Sequence, residues 1–249
     1  MGSCHRLTPV LLLAAAACTS SPRPVGHPDS DPEAVVLAAR VVETMGGVAA
    51  WERTRFVHWN YFGRRRHWWD RETGDVRIEV DDVVFLMNVR NRRGRVFRAG
   101  EEVTDIGRLK LLLSQCYEMW SNDSYWMFMP FQLFDPGVVL HLVGTSELQA
   151  GRPADLLEVT FEGRAHRPHA RYLVHVARDT GLVEAWDYYV DRGDAEPEFA
   201  AVPWSHWERF RGILLATQHG QGADWEVAVY GSLEASVFQD PSPLGESLR

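Results

Sequence analysis

Apolar and polar residues alternate with a period of two over most of the chain, and this pattern predicts a mainly β fold. The alternation runs from Val57 to Phe97, and it returns from Val138 to Val229. Turns such as Thr73-Gly74 separate the segments at the spacing of antiparallel hairpins. Strands and helices do not alternate along the chain, which disfavours a parallel sheet. We therefore expect about ten or eleven antiparallel strands.

Two segments have helical spacing instead. Ser30 and Glu33 read as a capping box with Pro32 in the first turn. The apolar face that follows consists of Ala34, Leu37, Ala38, Val41, Val42 and Met45, before Gly46 and Gly47 end the helix. The second predicted helix has its apolar face at Ile106, Leu109, Leu113, Cys116, Tyr117 and Trp120.

The second helix leads into a segment from Cys116 to Gly137, which we call the aromatic plug. It shows no strand alternation and contains two prolines. Its large apolar side chains are Trp120, Tyr125, Trp126, Met127, Phe128, Met129, Phe131, Leu133 and Phe134. Each aromatic ring buries roughly 150 to 250 Å², so the plug needs a large apolar partner. We expect it to lie across a sheet as a lid.

An antiparallel sheet of ten or eleven strands must curl, and a curled sheet with an apolar inner face encloses a hollow. The predicted fold is therefore mainly β (α+β), a curled antiparallel half-barrel covered by helices and the aromatic plug. We predict one domain over residues 30–238, a tether over 18–29 that is rich in serine and proline, and a tail over 239–249.

The first residues predict export and a lipid anchor. Arg6 precedes a short apolar stretch from Leu7 to Ala17, as in a signal peptide over residues 1–17. Small residues followed by Cys18 resemble a bacterial lipobox, in which the cysteine receives a lipid. Thr19 follows Cys18, which in a Gram-negative envelope favours the outer membrane. We expect a lipoprotein facing the periplasm, with a plain secreted protein as the alternative.

The net charge disfavours one class of function, nucleic-acid binding, and the cysteine content disfavours a reactive thiol in the folded domain. The formal net charge of −8 argues against a nucleic-acid-binding protein, which needs a basic face. Of three cysteines, Cys4 lies in the signal peptide and Cys18 is the predicted lipid site. Only Cys116 remains in the body, where its place on an apolar helix face predicts a buried side chain rather than a reactive thiol.

Several stretches resemble an uncharacterised family of bacterial exported proteins over about residues 31 to 238. The resemblance rests on Gly46–Trp51, Trp68–Asp75, Leu86–Val96 and the aromatic plug. That family is similar in strand and helix order to the LolA, LolB and LppX carriers of lipoproteins and lipids. The resemblance implies an unclosed half-barrel with a hydrophobic hollow for acyl chains, but no charged residue aligns with a functional position of those carriers.

Candidate catalytic residues are few. The chain contains no G-x-S-x-G, H-E-x-x-H or Cys-x-x-Cys motif. His166 and His169 have metal-like spacing but read as a solvated loop. The carboxylates Asp70, Asp75, Glu79, Asp81 and Asp82 cluster, and we read them as a water-facing surface shared with Arg77. Asp123 reads as a residue that ties the plug to the sheet, with desolvation able to raise its pKa.

The sequence thus favours a binding protein over an enzyme, with no metal and no cofactor. The predicted walls of the binding site are Trp59, Tyr61, Trp68, Phe85, Met87, Trp120, Trp126, Phe128, Phe134 and Trp186. The predicted partner is a lipid acyl chain or another hydrophobic small molecule. The alternative is an interaction lipoprotein in which the same aromatics fill a solid core. A hydrolase built on the carboxylates would require Asp70 and Asp123 to share one cleft.

Overall fold

The computed structural model describes residues 25–162, 169–222, 224–245 and 248. Within them the chain forms thirteen strands, three α-helices and three short 3₁₀ helices, and every strand pair in the two sheets is antiparallel. The predicted mainly β, antiparallel class is confirmed. The predicted signal peptide, Cys18 and His166 lie outside the described residues.

The strands form two sheets. The first has the order β13-β1-β2-β3-β4-β5-β6. Its strands are β1 (Phe56–Tyr61), β2 (Arg65–Asp70), β3 (Asp75–Val80), β4 (Val83–Asn88), β5 (Arg93–Arg98), β6 (Glu101–Glu102) and β13 (Val227–Tyr230). The second has the order β12-β11-β10-β9-β8-β7. Its strands are β7 (Val138–Glu147), β8 (Pro153–Phe161), β9 (Arg171–Ala177), β10 (Val183–Tyr189), β11 (Phe199–Phe210) and β12 (Ile213–His219).

This arrangement differs from the prediction in strand number and in connection. The pattern missed β6, which has two residues, and the long β11. Strand β11 has no clean alternation because it contains Pro203 and because Ala201 and His206 adopt positive φ. The single curled half-barrel is not confirmed, since hydrogen bonds join the strands into two sheets.

Helix α1 (Pro32–Thr44) has the apolar face that the sequence predicts, and all six predicted positions are buried. The predicted capping box is wrong. The Ser30 and Asp31 side chains accept hydrogen bonds from the Leu140 and Leu142 amides of β7, so they attach the helix to the second sheet instead.

Gly46 ends α1 in a place that admits no side chain. Its φ is +117°, and an added Cβ would lie 2.3 Å from the carbonyl oxygen of Gly212. The short helix α2 (Val48–Arg53) follows directly.

The aromatic plug is more regular than predicted. Helix α3 (Ile106–Phe128) continues for 23 residues through most of it, and a 3₁₀ helix (Met129–Gln132) follows. Pro130 does not interrupt α3, because it lies in the 3₁₀ helix where a missing amide donor is tolerated.

Helix α3 packs against two apolar cores, one at each half of the helix. The larger core contains residues of both sheets, α1 and the end of α3, from Tyr125 to Phe128. The smaller core lies between β3 to β5 and the first half of α3, where Cys116 is fully buried as predicted. Burial raises the pKa of the Cys116 thiol, which keeps it protonated. The helix therefore does pack across a sheet, as expected of the plug.

The outer face of β2 to β4, which was predicted to meet water, is covered around Arg77, whereas Asp81 and Asp82 are exposed as predicted. Arg77 is 0% exposed, and its guanidinium donates to the carbonyl oxygens of Val237, Asp240, Pro241 and Ser242. The C-terminal segment over 235–242 thus lies on this outer face. The domain boundary at 238 stays a prediction, but chain on both sides of it contacts Arg77.

A core histidine gives the fold a predicted acid sensitivity. His219 lies between the rings of Trp204 and Trp225, at 4.4 Å from each, and its Nε2 donates to the Ala216 carbonyl oxygen. Desolvation lowers the pKa of His219 to about 3, although the hydrogen bond opposes the shift. Below the unfolded value of about 6.5, the unfolded chain takes up a proton that the folded chain refuses. The free energy of unfolding therefore decreases as the pH is lowered.

We expect this one group to remove roughly 3 kcal/mol of unfolding free energy between pH 7 and pH 4. Urea unfolding at both pH values checks it. A His219→Leu variant should lose that part of the pH dependence, whereas His206→Asn should keep it, because His206 is exposed. An unchanged pH dependence in His219→Leu would contradict the assignment.

Within the described residues, no helix is both long enough and apolar enough to cross a membrane.

Candidate functional site

Three of the predicted ligand-binding residues belong to a filled core. Trp59, Phe128 and Trp186 are each 0% exposed. The ring of Phe128 meets Trp59 edge-on at 5.2 Å, and Trp186 meets Trp126 edge-on at 4.8 Å. Side chains in such contacts already have their partners, so these positions support the fold rather than line an open site.

The remaining predicted residues are spread over several places. Phe85 and Met87 lie in the smaller core under α3, and Phe134 packs half-buried against the larger core. Trp68 lies on the outer face of the first sheet, because it pairs with His58 and Arg77 in register. The sheet therefore separates Trp68 from the other predicted residues.

An open cleft of about 320 Å³ lies where α2, α3, β2 and the start of the second sheet meet. It is lined mainly by aromatic side chains, with a few polar ones. The lining residues are Trp51, Trp69, Arg71, Tyr117, Trp120, Ser121, Ser124, Tyr125, Gln132, Asp135, Pro136, Val138 and Phe161. Of the predicted residues, Trp120 lines this cleft.

The indole rings of the cleft are held in fixed positions by their neighbours. Trp69 and Trp120 meet edge-on at 5.2 Å, and both pack against the two apolar cores. Trp51 stacks on Phe131 at 4.5 Å with an angle of 8° between the rings. The protein's own packing therefore orders the apolar wall of the cleft.

The polar end of the cleft is formed by Arg71 and Asp135. The guanidinium carbon of Arg71 lies 3.4 Å from the centroid of the Trp51 ring, and Nη1 donates to the carbonyl oxygens of Trp51 and Thr54. Desolvation lowers the pKa of Arg71 to about 10, so it is charged at neutral pH. Desolvation raises the pKa of the Asp135 carboxyl to about 6, and the nearby charge of Arg71 opposes that shift.

A buried ionic network holds α3 beside the cleft. Asp123 is 0% exposed, and Arg65 donates to both of its oxygens at 2.6 and 2.7 Å. His67 Nε2 lies 2.8 Å from Asp123 Oδ2. Burial alone would raise the pKa of Asp123, but the hydrogen bonds of His67 and Arg65 outweigh it and hold the pKa below its ordinary value. The expected tie to the sheet is present, and the expected rise in pKa is wrong.

A second opening, which we call the groove, lies between the β1–β2 turn and the start of β11, with a volume of about 560 Å³. Its lining includes the predicted residues Tyr61 and Trp126. Phe62 and Phe199, also in its wall, are 38% and 47% exposed. The groove is thus an apolar surface that opens to solvent.

The carboxylates do not form a hydrolytic pair. Asp70 lies on the outer face of the first sheet and is held by Arg55 at 2.8 and 3.0 Å. Asp123 contacts His67, whose side chain is on the opposite face of the same strand. Because the sheet separates Asp70 from Asp123, the condition for the carboxylate hydrolase is not met.

Three side chains on the second sheet form a hydrogen-bonded chain that no sequence pattern indicated. Ser146 Oγ lies 2.8 Å from His175 Nδ1, and His175 Nε2 lies 3.4 Å from Asp187 Oδ2. Asp187 also accepts a hydrogen bond from the Ala201 amide. The three side chains are on β7, β9 and β10, away from the cleft, and we interpret them as cross-strand contacts.

One surface group has the donor types of a metal site. His27, Asp29 and Glu162 each offer one atom within 4.8 Å of the others. Exposed acidic groups commonly gather in this way without an ion, and we assign no metal here.

Sequence reasoning missed Trp51, Trp69, Arg71 and Asp135. For Trp69, the sequence does contain an indication, the pair Trp68-Trp69. Adjacent strand residues point to opposite faces, so only one of the two can face the core. Trp69 pairs in register with the buried residues Val57 and Val76, so Trp69 is the residue that faces the core. Arg71 and Asp135 belong to turns that no period describes.

The sequence matches no protein-family profile and no curated protein. Among solved structures, it is similar to a DUF1329 family protein from Desulfovibrio piger at 15% identity. That match covers 82% of this chain and 95% of the other, with a TM-score of 0.42. It is also similar to MucB at 16% identity, covering 88% and 63% with a TM-score of 0.27. MucB in complex with MucA matches at 21% identity, covering 63% and 51% with a TM-score of 0.24. These likenesses are too distant to carry an argument about function.

Proposed function

We propose that this protein binds and carries an acyl chain or a similar hydrophobic small molecule in the cleft, with no catalytic step and no cofactor. The observation that carries the proposal is the aromatic-lined cleft of about 320 Å³ beside α3. Its volume lies at the lower end of the range for small-molecule sites, roughly 300 to 1,000 Å³. A medium-length chain therefore fits better than a whole phospholipid.

The energetics favour an apolar ligand. Each CH₂ group that leaves water contributes about 0.8 kcal/mol, and the indole walls of Trp69 and Trp120 are already ordered by their own contacts. Binding then needs little ordering of protein side chains, and the entropy lost in such ordering usually reduces the affinity. The cleft is also polar at one end, where Arg71 and Asp135 lie, so an amphiphilic molecule suits it better than a pure hydrocarbon.

The proposed location follows from the sequence. A lipid on Cys18 would hold the protein at the membrane, facing the periplasm, and Thr19 favours the outer membrane. A tether over 18–29 would then separate the anchor from the fold.

The second candidate is an interaction protein, and the groove favours it. Phe62 and Phe199 expose aromatic surface there, as residues of docking sites often do. In that case the aromatic residues around the cleft would only stabilise the fold, and the cleft would take up no ligand.

Occlusion of the cleft tests the proposal. Ser121 lines the cleft on α3, so Ser121→Phe should place a ring inside it and weaken the binding of decanoic acid by at least about tenfold. Ser114 is exposed on the same helix and does not line the cleft, so Ser114→Phe should leave binding unchanged.

Isothermal titration calorimetry on the full-length chain with Cys18→Ser, which removes the lipid site, measures both variants. Native mass spectrometry of the same protein shows whether a lipid co-purifies. No uptake of decanoic acid by the parent chain, together with a ligand-free mass, would refute the carrier and favour the interaction protein.

A further inference from the structure

Four arginines in the described part of this protein hold a carboxylate in the same way. The edge formed by Nε and Nη2 donates two parallel hydrogen bonds to the two carboxylate oxygens, at 2.6 to 3.0 Å. Such forked pairs are stronger and more specific than single contacts. They occur in the pairs Arg55–Asp70, Arg65–Asp123, Arg95–Glu102 and Arg152–Asp179.

The Nε and Nη2 edge of Arg71 donates to no carboxylate within the described residues. The hydrogen bonds of Arg71 to protein, at the Trp51 and Thr54 carbonyl oxygens, both come from Nη1. Its Nε is buried and has no partner among the described residues. Within the same residues, no carboxylate lies at ion-pair distance from Arg71, although it lines the cleft.

A buried donor without a partner is costly, and more so on a charged group. Arg171 also leaves Nε unpaired, but its Nη1 lies 3.6 Å from Glu158, so its charge has a counterion. Arg71 combines an unpaired Nε, a nearest acidic neighbour, Asp135, that lies beyond ion-pair distance, and a position in the wall of an open cleft. Stacking on Trp51 fixes the plane of the guanidinium, so the free edge keeps one orientation.

We infer that the Nε and Nη2 edge of Arg71 recognises the carboxylate of the ligand, so that the cleft selects a carboxylic acid with an apolar chain. The inference rests on the proposed function, because it names the head group for the same cleft. The aromatic walls take the chain, and Arg71 supplies the two hydrogen bonds that its counterparts give to aspartate and glutamate.

Asp135 has the opposite effect on such a ligand. Its carboxyl lines the same cleft, and its negative charge repels an anionic head group. Removing that charge should therefore tighten the binding of an acid while leaving a neutral ligand unaffected. Its side chain makes no hydrogen bond within the described structure that the fold would lose.

The test compares decanoic acid with methyl decanoate, which keeps the chain and loses the charge. We expect the full-length chain with Cys18→Ser to bind the acid about tenfold to a hundredfold more tightly, the usual range for hydrogen bonds to a charged group. Arg71→Lys should reduce this preference to within about threefold, because lysine keeps the charge but has no fork. Asp135→Asn should increase the preference a few-fold, and this change should leave the fold intact.

The outcomes separate the two proposals. Equal binding of acid and ester by the parent chain, with an unchanged ratio in Asp135→Asn, would overturn the role of Arg71 while leaving the hydrophobic cleft in place. Binding of neither ligand, together with a ligand-free mass of the purified protein, would refute the proposed function itself. Circular dichroism of each variant confirms that a lost preference does not arise from unfolding, and Asp135→Asn tests the same end of the cleft with the Arg71 side chain still present.

Discussion

Replacing Asp123 with alanine is expected to lower the free energy of unfolding by about 3 to 5 kcal/mol, the usual result of removing one partner from a buried ion pair. The carboxylate is 0% exposed and receives both Arg65 hydrogen bonds as well as the contact with His67. Without it, the Arg65 guanidinium loses two hydrogen bonds, and the fully buried His67 imidazole loses its Nε2 partner.

The matched control is another aspartate on the same helix. Asp105 caps α3 at its exposed end, where its side chain accepts from the Arg108 amide at 2.8 Å. Losing such a cap costs about 1 kcal/mol. Urea unfolding of both variants measures the difference. If Asp123→Ala costs no more than Asp105→Ala, the buried network does not hold the helix to the sheet.

The network also bears on the cleft. Asp123 precedes the cleft residues Ser124 and Tyr125, and Trp120 and Ser121 lie one turn before it. A helix that is released at Asp123 would therefore move the aromatic wall. We expect Asp123→Ala to weaken ligand binding together with stability, whereas occlusion at Ser121 changes binding alone.

Replacing Arg77 with methionine is the second large effect, with an expected loss of about 3 kcal/mol of unfolding free energy. Methionine retains much of the length of the side chain but cannot donate to the four carbonyl oxygens of the C-terminal segment. Glu79, which lies 2.6 Å from Arg77, would lose one of its two arginine partners.

The same substitution should release the C-terminal segment from the outer face. Limited proteolysis should then cut within residues 235–242, where the parent chain resists. Arg66→Met is the control, since Arg66 also pairs with Glu79 but is 36% exposed, and half-exposed pairs contribute at most about 1 kcal/mol. Equal stability and protection in the two variants would show that Arg77 does not fasten the segment.

Part of the fold could be predicted from the sequence because it depends on residues that are close together in the chain. The six apolar positions of α1 recur at helical spacing, and all are buried. Strand β3 was predicted from Val76, Ile78 and Val80, which share one face. The helical spacing up to Trp120 placed Cys116 on the buried side of α3.

Other parts depended on which strands lie side by side. Trp68 and Trp69 are equally apolar, and their assignment to opposite faces follows from the register of β2 with β1 and β3. The polar set around Arg77 looked like a wet surface because nothing near it in sequence predicts the segment that covers it. Strand β11 was missed because its proline and positive φ angles interrupt the alternation.

The sequence by itself thus determined the antiparallel, mainly β class, α1, the apolar nature of the plug and the burial of Cys116, because each follows from local periodicity and the need to bury apolar surface. The tertiary structure alone decided the division into two sheets, the covered outer face and the cleft. Arg71 follows β2 and Asp135 follows α3, and only packing brings them together. Contacts between distant segments depend on register and shape, which no pattern along one strand or helix encodes.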